Sequence, residues 1–154
     1  TAGNSSGLND GSAALLLANE SGLSSSGLTP LSQIISSAVV GVEPRFMGIG
    51  PVRASEIALK RAGITFSDLD VIELNEAFSA QALACIREWG LDDDDSRINP
   101  NGGGISIGHP LGVTGSRILL SAARQLERTG GRYGLITLCI GVGQGYAVVI
   151  KNTQ

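Results

Sequence analysis

The chain has 154 residues, enough for one domain with a hydrophobic core, and carries a formal net charge of −3. It contains neither a basic patch nor a long apolar run, so we expect no nucleic-acid binding and no membrane span. Charged residues make up only 16% of the chain. This scarcity of charge predicts an oligomer, or a chain that packs against a further domain.

The two cysteines and a run of aspartates allow predictions about the cellular compartment and about metal binding. Two cysteines, Cys85 and Cys139, do not make a disulfide framework, which indicates a reducing, cytoplasmic setting. The run 92–95 consists of four aspartates with no histidine nearby, and we interpret it as a solvated loop rather than a metal site. The chain opens on Thr1 without a methionine, so we expect it to be part of a larger protein.

The first third of the chain alternates loop and short apolar segments. Glycine, serine and asparagine dominate residues 1–12, which predicts a loop. The elements predicted after it are a short buried strand (Ala13–Ala18), a weak helix (Glu20–Ser26), a strand rich in Ile and Val (Ser32–Val42) and a connection (Pro44–Gly50).

The remainder alternates helices with strands, and glycines mark the helix ends. Pro51 stands at a favoured first helical position, and Gly63 and Gly130 each end a helix. The predicted elements are a helix from Pro51, a strand (Asp70–Leu74), a helix (Glu76–Trp89), a glycine-rich segment with a helix from Leu111, and two strands (Tyr133–Leu138 and Gly145–Ile150).

This order predicts the α/β class. Strands that alternate with helices favour a largely parallel sheet covered on both faces. The last two strands are joined by a short turn, so they are expected to form an antiparallel pair. Counting Ala13–Ala18, the prediction is a mixed five-stranded sheet with helices on both faces.

Three polar groups are predicted at the carboxyl ends of strands, where α/β sheets usually bind ligands. Asn75 follows the strand Asp70–Leu74 and is also well placed to be a helix N-cap. Alternatively, its amide could hold a water molecule.

His109 is the only histidine, and it precedes the helix that starts near Leu111. The first turn of a helix offers unpaired N–H groups and a partial positive charge, which favours neutral imidazole. Such a ring can stabilise an oxyanion or pass a proton. A simple capping role is the alternative.

Cys139 follows an apolar strand and is flanked by glycines, which leave a backbone N–H at Gly141 free to point into a site. Cys85 lies on the apolar stripe of its helix and is assigned to the core. Together, Asn75, His109 and Cys139 suit acyl transfer. From the residues alone, Cys139 is either the nucleophile of a Cys-His-Asn hydrolase or an acid/base whose nucleophile lies elsewhere.

Four segments together resemble the thiolase family, and specifically its C-terminal half. They are Thr1–Gly11, Asn75-Glu76-Ala77-Phe78, Gly108-His109-Pro110 and Cys139-Ile140-Gly141. The resemblance spans essentially the whole chain, with residues 1–12 as an entrance loop and residues 1–154 as the C-terminal domain. It implies a βαβαβαββ half and the absence of an N-terminal catalytic half.

The resemblance also implies roles. Thiolases cleave a 3-oxoacyl-CoA with coenzyme A through a cysteine acyl-enzyme, or run the reverse condensation. Cys139 would be the acid/base, His109 would activate the nucleophile and bind the thioester oxygen, and Asn75 would hold a water. The Gly141 N–H would join a second oxyanion hole. Positions that match the lining of the CoA channel are Ala2, Ser6 and Phe78.

The resemblance further implies the substrate class and partners. Segments 44–52 and 139–145 look most like β-ketoadipyl-CoA thiolases, then general 3-oxoacyl-CoA thiolases, with biosynthetic acetoacetyl-CoA thiolases further away. No tightly bound cofactor and no metal is expected, and acyl-CoA is the substrate. A homodimer or homotetramer is expected for the full-length protein, and the chain alone should be inactive. A non-catalytic CoA-binding or dimerisation module is the alternative.

Overall fold

A mixed sheet of four strands forms the centre of the computed structural model, which describes residues 1–154. The strands are β1 (Ser32–Gly41), β2 (Val71–Leu74), β3 (Tyr133–Ile140) and β4 (Gln144–Asn152). Across the sheet their order is β1-β4-β3-β2. β2 and β3 run parallel, whereas β4 is antiparallel to β1 and β3, which confirms the predicted pairing of the last two strands.

Helices alternate with these strands along the chain. They are α1 (Glu20–Ser26), α2 (Gly50–Ala62), α3 (Ser79–Glu88), α4 (Gly104–Ile107) and α5 (Leu111–Thr129), with 3-10 turns at Ala2–Asn4, Pro44–Ile49 and Phe66–Asp68. As predicted, α2 and α5 end at Gly63 and Gly130, each with a φ of 71°. This left-handed conformation is the one that favours glycine at a helix end. No helix has both the length and the apolar character needed to cross a membrane.

Each face of the sheet packs against a different set of helices. Ile72 and Leu135 belong to the buried layer under α2, whereas Val71 and Ile136 belong to the layer under α5. Because successive strand residues point to opposite faces, neighbouring residues divide in this way. A third cluster packs α3 near Leu74. The predicted α/β class, with helices on both faces, is confirmed.

The prediction of a strand at Ala13–Ala18 is wrong. Residues 6–19 contain no helix or strand, and Leu16 and Leu17 are 81% and 72% exposed. A strand needs a neighbour to bond its backbone, and no strand of this chain runs beside the segment. The sheet therefore has four strands rather than five. At the outer side of the edge strand β2, the sheet is extended only by a single bridge between Ile72 and Ile98. This bridge lies where the expected βαβαβαββ order would place its third strand.

The predicted start of the helix at Glu76 is also wrong. α3 begins at Ser79, and its N-cap is Phe78, whose extended backbone has a φ of −145°. Asn75 is therefore not the N-cap of this helix. β3 continues to Ile140, so Cys139 lies inside the strand rather than in the turn that follows.

Candidate active site

The carboxyl ends of β2 and β3 bring two of the predicted site residues to one edge of the sheet. The two strands are parallel neighbours, with Leu74 opposite Thr137. The pairing extends one step further, because the Asn75 N–H donates to the Thr137 carbonyl at 3.0 Å. Cys139 lies two residues beyond Thr137 on the same strand. Asn75 and Cys139 thus lie at the edge where parallel sheets usually bind ligands.

His109 reaches the same edge from the loop before α5. Its Nε2 lies 3.4 Å from Nδ2 of Asn75, a residue that is only 1% exposed. Oδ1 of Asn75 is buried and has no hydrogen-bond partner in the chain. The two residues that the sequence placed in separate motifs are therefore in contact. No hydrogen bond joins Cys139 to His109 or Asn75, although all three lie at the same end of the sheet.

Burial keeps the His109 imidazole neutral. The ring is partly buried, and this burial lowers its pKa below the ordinary 6.5. The Arg117 guanidinium, on α5, lowers the pKa further because a nearby cation disfavours imidazolium. We expected neutral imidazole from the field of the helix start, but the causes here are desolvation and a neighbouring charge.

Burial acts in the opposite direction on Cys139, because the charged form of a thiol is the deprotonated one. The residue is 8% exposed, and burial raises its pKa above the ordinary value. The thiol is therefore the resting form at neutral pH. A protonated thiol is suited to give a proton rather than to attack a carbonyl.

The turn after β3 needs glycine at one position for a steric reason. Gly143 has a φ of 89°, and a Cβ there would lie 2.3 Å from the carbonyl oxygen of Val42. Gly141, at the start of this turn, is exposed and its N–H has no acceptor within the chain. The turn thus presents a free backbone donor next to the strand that carries Cys139.

A carboxylate that the sequence analysis did not single out holds the loop before His109. Glu76 accepts a hydrogen bond from the Ile105 N–H at 3.0 Å and another from Asn99 Nδ2 at 2.9 Å. Asn99 in turn bonds both the N–H and the carbonyl of Leu74, each at 2.8 Å. A Cβ at Gly103 would overlap the Glu76 carboxyl group. The only sequence signal for this role is that Glu76 directly follows Asn75.

The first residues of the chain lie along both loops. Ser6 donates its N–H to the Ala77 carbonyl at 3.1 Å, and Ser5 forms an antiparallel bridge with Phe78. The Gly7 carbonyl accepts the N–H of His109 at 2.8 Å. Ser6 thus lies against Ala77, and the Phe78 side chain next to it is half-exposed. Ala2 lies in the exposed 3-10 turn that precedes them.

Three further polar side chains lie behind His109, on the α5 face of the sheet. Glu73 of β2 is 1% exposed, and burial raises the pKa of its carboxyl group to about 7, although Arg117 opposes this rise. The Nε and Nη2 atoms of Arg117 are buried without a partner. Thr114 of α5 is fully buried and contacts the histidine ring. The sequence carries no signal for these residues, because no local pattern marks a strand glutamate or a helix threonine as part of a site.

The acidic run predicted to be a solvated loop makes two ion pairs. Asp93 bonds Arg87 at 2.7 Å, and Asp95 bonds Arg97. Each guanidinium holds the pKa of its aspartate below the ordinary value. No group of three or more His, Cys, Asp or Glu side chains is arranged to hold a metal ion.

Comparison with known proteins identifies the family. Residues 28–152 match the family model described as thiolase, C-terminal domain. The chain is 56% identical over 152 residues to the 3-oxoadipyl-CoA/3-oxo-5,6-dehydrosuberyl-CoA thiolase of Escherichia coli K12, and 54% identical to a beta-ketoadipyl-CoA thiolase of Acinetobacter baylyi. The chain belongs to the thiolase family.

The fold agrees with this assignment. The structure superimposes on crystal structures of human mitochondrial 3-ketoacyl-CoA thiolase with a TM-score of 0.92, and of 0.90 for its complex with CoA. The sequence identities are 44% and 43%, and the match covers the whole of this chain. The chain spans 38% of the length of the two bacterial relatives and 39% of the human protein.

Proposed function

We propose that the protein to which this chain belongs is a thiolase that cleaves a 3-oxoacyl-CoA with coenzyme A, and that 3-oxoadipyl-CoA is its substrate. The identity to proteins named for 3-oxoadipyl-CoA and beta-ketoadipyl-CoA supports the choice of substrate. The observation that carries the chemistry is the contact between the Asn75 amide and the neutral His109 ring, beside the strand end that bears a protonated thiol.

The first half-reaction breaks the bond between C2 and C3 of the substrate. A cysteine thiolate from outside these 154 residues attacks the C3 ketone, and the C2–C3 electron pair moves onto the thioester as an enolate. The Cys139 thiol gives its proton to C2, which releases acetyl-CoA and leaves a Cys139 thiolate. The enolate oxygen needs preorganised donors, which the His109 ring and a water on Asn75 would supply.

The second half-reaction returns every group to its starting state. A new CoA thiol gives its proton to the Cys139 thiolate and attacks the acyl-enzyme carbonyl. The tetrahedral oxygen carries the negative charge until the nucleophilic cysteine leaves as a thiolate. The free N–H of Gly141 is suited to stabilise that oxygen. Cys139 thus ends protonated, ready for another turnover.

The substrate would enter along the first residues of the chain. Ser6 bonds the Ala77 carbonyl and Ser5 pairs with Phe78, so the first residues of the chain run along the loop after Asn75, with Ala2 in the turn before them. Half-exposed Phe78 offers an apolar surface, and Ser6 offers a small one, which suits the narrow pantetheine arm of CoA. We assign Ala2, Ser6 and Phe78 to the lining of the CoA channel, with no tightly bound cofactor.

The Cys-His-Asn hydrolase is the weaker candidate. A nucleophilic cysteine needs a base within hydrogen-bond reach and a lowered pKa. Cys139 has no hydrogen bond to His109, and burial raises its pKa. Both observations favour an acid/base role for this thiol.

The remaining assignments concern the whole protein. We assign residues 1–154 to the C-terminal domain, with residues 1–12 as its entrance loop and the nucleophile in a further half. Exposed apolar side chains support a partner surface, and we propose a homodimer or homotetramer; they include Leu8, Leu16, Leu17, Leu28, Ile34 and Val39. Two free cysteines and no disulfide support a cytoplasmic setting.

The test is CoA-dependent cleavage of 3-oxoadipyl-CoA and acetoacetyl-CoA by the full-length protein, its Cys139→Ser variant and a matched Cys85→Ser variant. We expect turnover by the first and third proteins only, with 3-oxoadipyl-CoA preferred. Incubation of Cys139→Ser with acetyl-CoA should still yield a covalent acyl adduct, seen by intact mass. The 154-residue chain alone should be inactive.

Each other outcome identifies an alternative. Loss of the acyl adduct in Cys139→Ser would make Cys139 the nucleophile, as in the hydrolase hypothesis. A preference for acetoacetyl-CoA would favour the biosynthetic type. Binding of CoA by the full-length protein without cleavage of either substrate would favour the alternative that it is a non-catalytic CoA-binding module.

A further inference from the structure

Thr114 contacts the candidate catalytic histidine from inside the protein. It lies in the first turn of α5 and is 0% exposed. Its Oγ1 is 2.7 Å from His109 Nδ1 and 3.3 Å from the carbonyl oxygen of Pro110. The other ring nitrogen, Nε2, faces Nδ2 of Asn75 at 3.4 Å. Both nitrogens of the ring therefore have a side-chain neighbour.

The protons on these groups can be counted. The Asn75 Nδ2 group can only donate, so Nε2 must present its lone pair and the neutral ring carries its proton on Nδ1. The Thr114 Oγ1 atom, at 2.7 Å, then accepts the Nδ1–H bond. The single proton of the Thr114 hydroxyl is left to point at the Pro110 carbonyl, which also accepts the N–H groups of Val113 and Thr114. One neutral tautomer, with the proton on Nδ1, satisfies all three contacts.

The other tautomer leaves these contacts unsatisfied. A proton on Nε2 would face the Asn75 N–H protons, so two donors would meet. Nδ1 would then accept the Thr114 proton, and the Pro110 carbonyl would keep only its two backbone donors. The buried Asn75 N–H group would lose its acceptor, which is costly, so the geometry discriminates between the tautomers.

We infer that Thr114 is a positioning residue that holds His109 in the tautomer with a proton on Nδ1 and a lone pair on Nε2. Its effect on catalysis rests on the proposed function. In that reaction Nε2 takes the proton of the nucleophilic thiol, which leaves a thiolate and an imidazolium. The same Nε2–H then donates to the thioester oxygen, while Nδ1–H stays on Thr114 throughout.

A merely structural Thr114 would behave differently. Its bond to Pro110 resembles the back-bonding of a helix threonine, and loss of that bond alone would lower stability. It would not change which nitrogen of His109 carries the proton. The tautomer is therefore the readout that separates the two roles.

The first test uses the chain itself, because His109 is its only histidine and gives one pair of ring nitrogen signals. Nitrogen NMR of the ¹⁵N-histidine-labelled chain, at a pH above the His109 pKa, reports the protonated nitrogen. We expect a pyrrole-like Nδ1 and a pyridine-like Nε2 in the wild type and in Thr114→Ser, which keeps the hydroxyl. Thr114→Val keeps the shape but loses the hydroxyl, and should show mixed or reversed tautomers.

Two results would overturn the inference. A wild-type ring with its proton on Nε2 would mean that Asn75 presents its oxygen to the ring. A Thr114→Val ring with the wild-type pattern would mean that the hydroxyl does not set the tautomer. The wild-type spectrum decides the first point even where a variant folds poorly, and amide dispersion of each variant checks its fold.

The second test measures cleavage of 3-oxoadipyl-CoA by the full-length protein. We expect Thr114→Val to lower kcat by about tenfold or more with KM nearly unchanged, and Thr114→Ser to retain most of the activity, because a wrong tautomer affects the transition state more than binding. An active wild type with an equally active Thr114→Val variant would reject the role of Thr114 and leave the proposed function standing. An inactive wild type would reject the proposed function, while the tautomer measurement still decides the inference.

Discussion

The sheet is packed differently on its two faces. Under α2 the buried layer is made of apolar side chains, such as Ala54, Ala58 and Leu135. Under α5 an apolar layer is joined, toward the carboxyl end of β2, by a carboxylate, a guanidinium and a hydroxyl. The polar groups lie behind His109, and Arg117 acts on both His109 and Glu73.

This difference separates stability from chemistry. The α2 face is stabilised mainly by van der Waals contacts and burial of apolar area, and its polar contact is a hydrogen bond from the Ser36 hydroxyl to the Ala58 carbonyl. The α5 face accepts buried polar groups that cost free energy, and it uses them to set the protonation of the site. Changes on the first face should therefore affect folding, and changes on the second should affect titration.

The largest effect is expected on the apolar face. Leu135 is 0% exposed, so Leu135→Ala removes buried methyl groups and leaves a cavity. We expect a loss of about 2–5 kcal/mol in the free energy of unfolding, measured by urea denaturation of the chain. Leu119 of α5 is only partly buried, so Leu119→Ala is the matched control and should cost less. Equal losses would show that the two faces contribute alike.

A pH-dependent effect is expected from Glu73 on the mixed face. Its pKa is about 7 in the folded chain against 4.5 ordinarily. Below pH 4.5 both states are protonated and folding carries no penalty. Between pH 4.5 and 7 the unfolded chain ionises first, so stability falls by up to about 3 kcal/mol and the loss is complete above pH 7.

Glu73→Gln should remove this loss. Unfolding free energies at pH 5 and pH 8 should differ less for the variant than for the wild type. Glu56→Gln, at an exposed position on α2, should retain the wild-type difference. A Glu73→Gln variant with the wild-type pH dependence would mean that the carboxyl group is ionised when buried, paired with Arg117.

The smallest effect is expected on the titration of His109. Arg117→Met removes the cation that helps to lower the pKa of the ring, so the pKa should rise. It should stay below 6.5, because burial is the larger cause. NMR titration of the single histidine measures the shift, with Arg124→Met, further along α5 and exposed, as the control. An unchanged pKa would assign the whole effect to burial.

Much of the fold followed from local patterns. The ends of α2 and α5 were predictable because Gly63 and Gly130 adopt a left-handed backbone conformation. Glycine adopts this conformation without the steric cost that a side chain would add, so its position in the sequence marks the helix end. The pairing of β3 with β4 followed from the short turn between them. The prediction of a strand at Ala13–Ala18 was wrong because apolar residues indicate burial but do not specify which strand would pair with them.

The candidate site, like the fold, could be predicted only in part from the sequence. Asn75, His109, Cys139 and Gly141 could be named from motifs, since each follows a strand or precedes a helix. The N-cap assigned to Asn75 was wrong, because the side chain turns inward to His109 and α3 starts later.

The sequence by itself determined the family, the α/β class, the C-terminal ends of α2 and α5 and the candidate site residues, because periodicity, capping and motif spacing are local properties of the chain. Only the tertiary structure decided that β4 lies between β1 and β3, that Glu76 holds the histidine loop, and which side chains are buried behind the ring: Thr114, Arg117 and Glu73. Those features depend on which side chains are buried next to one another. The pKa of a carboxyl group or the tautomer of an imidazole is set by that shared burial, and not by the residue type alone.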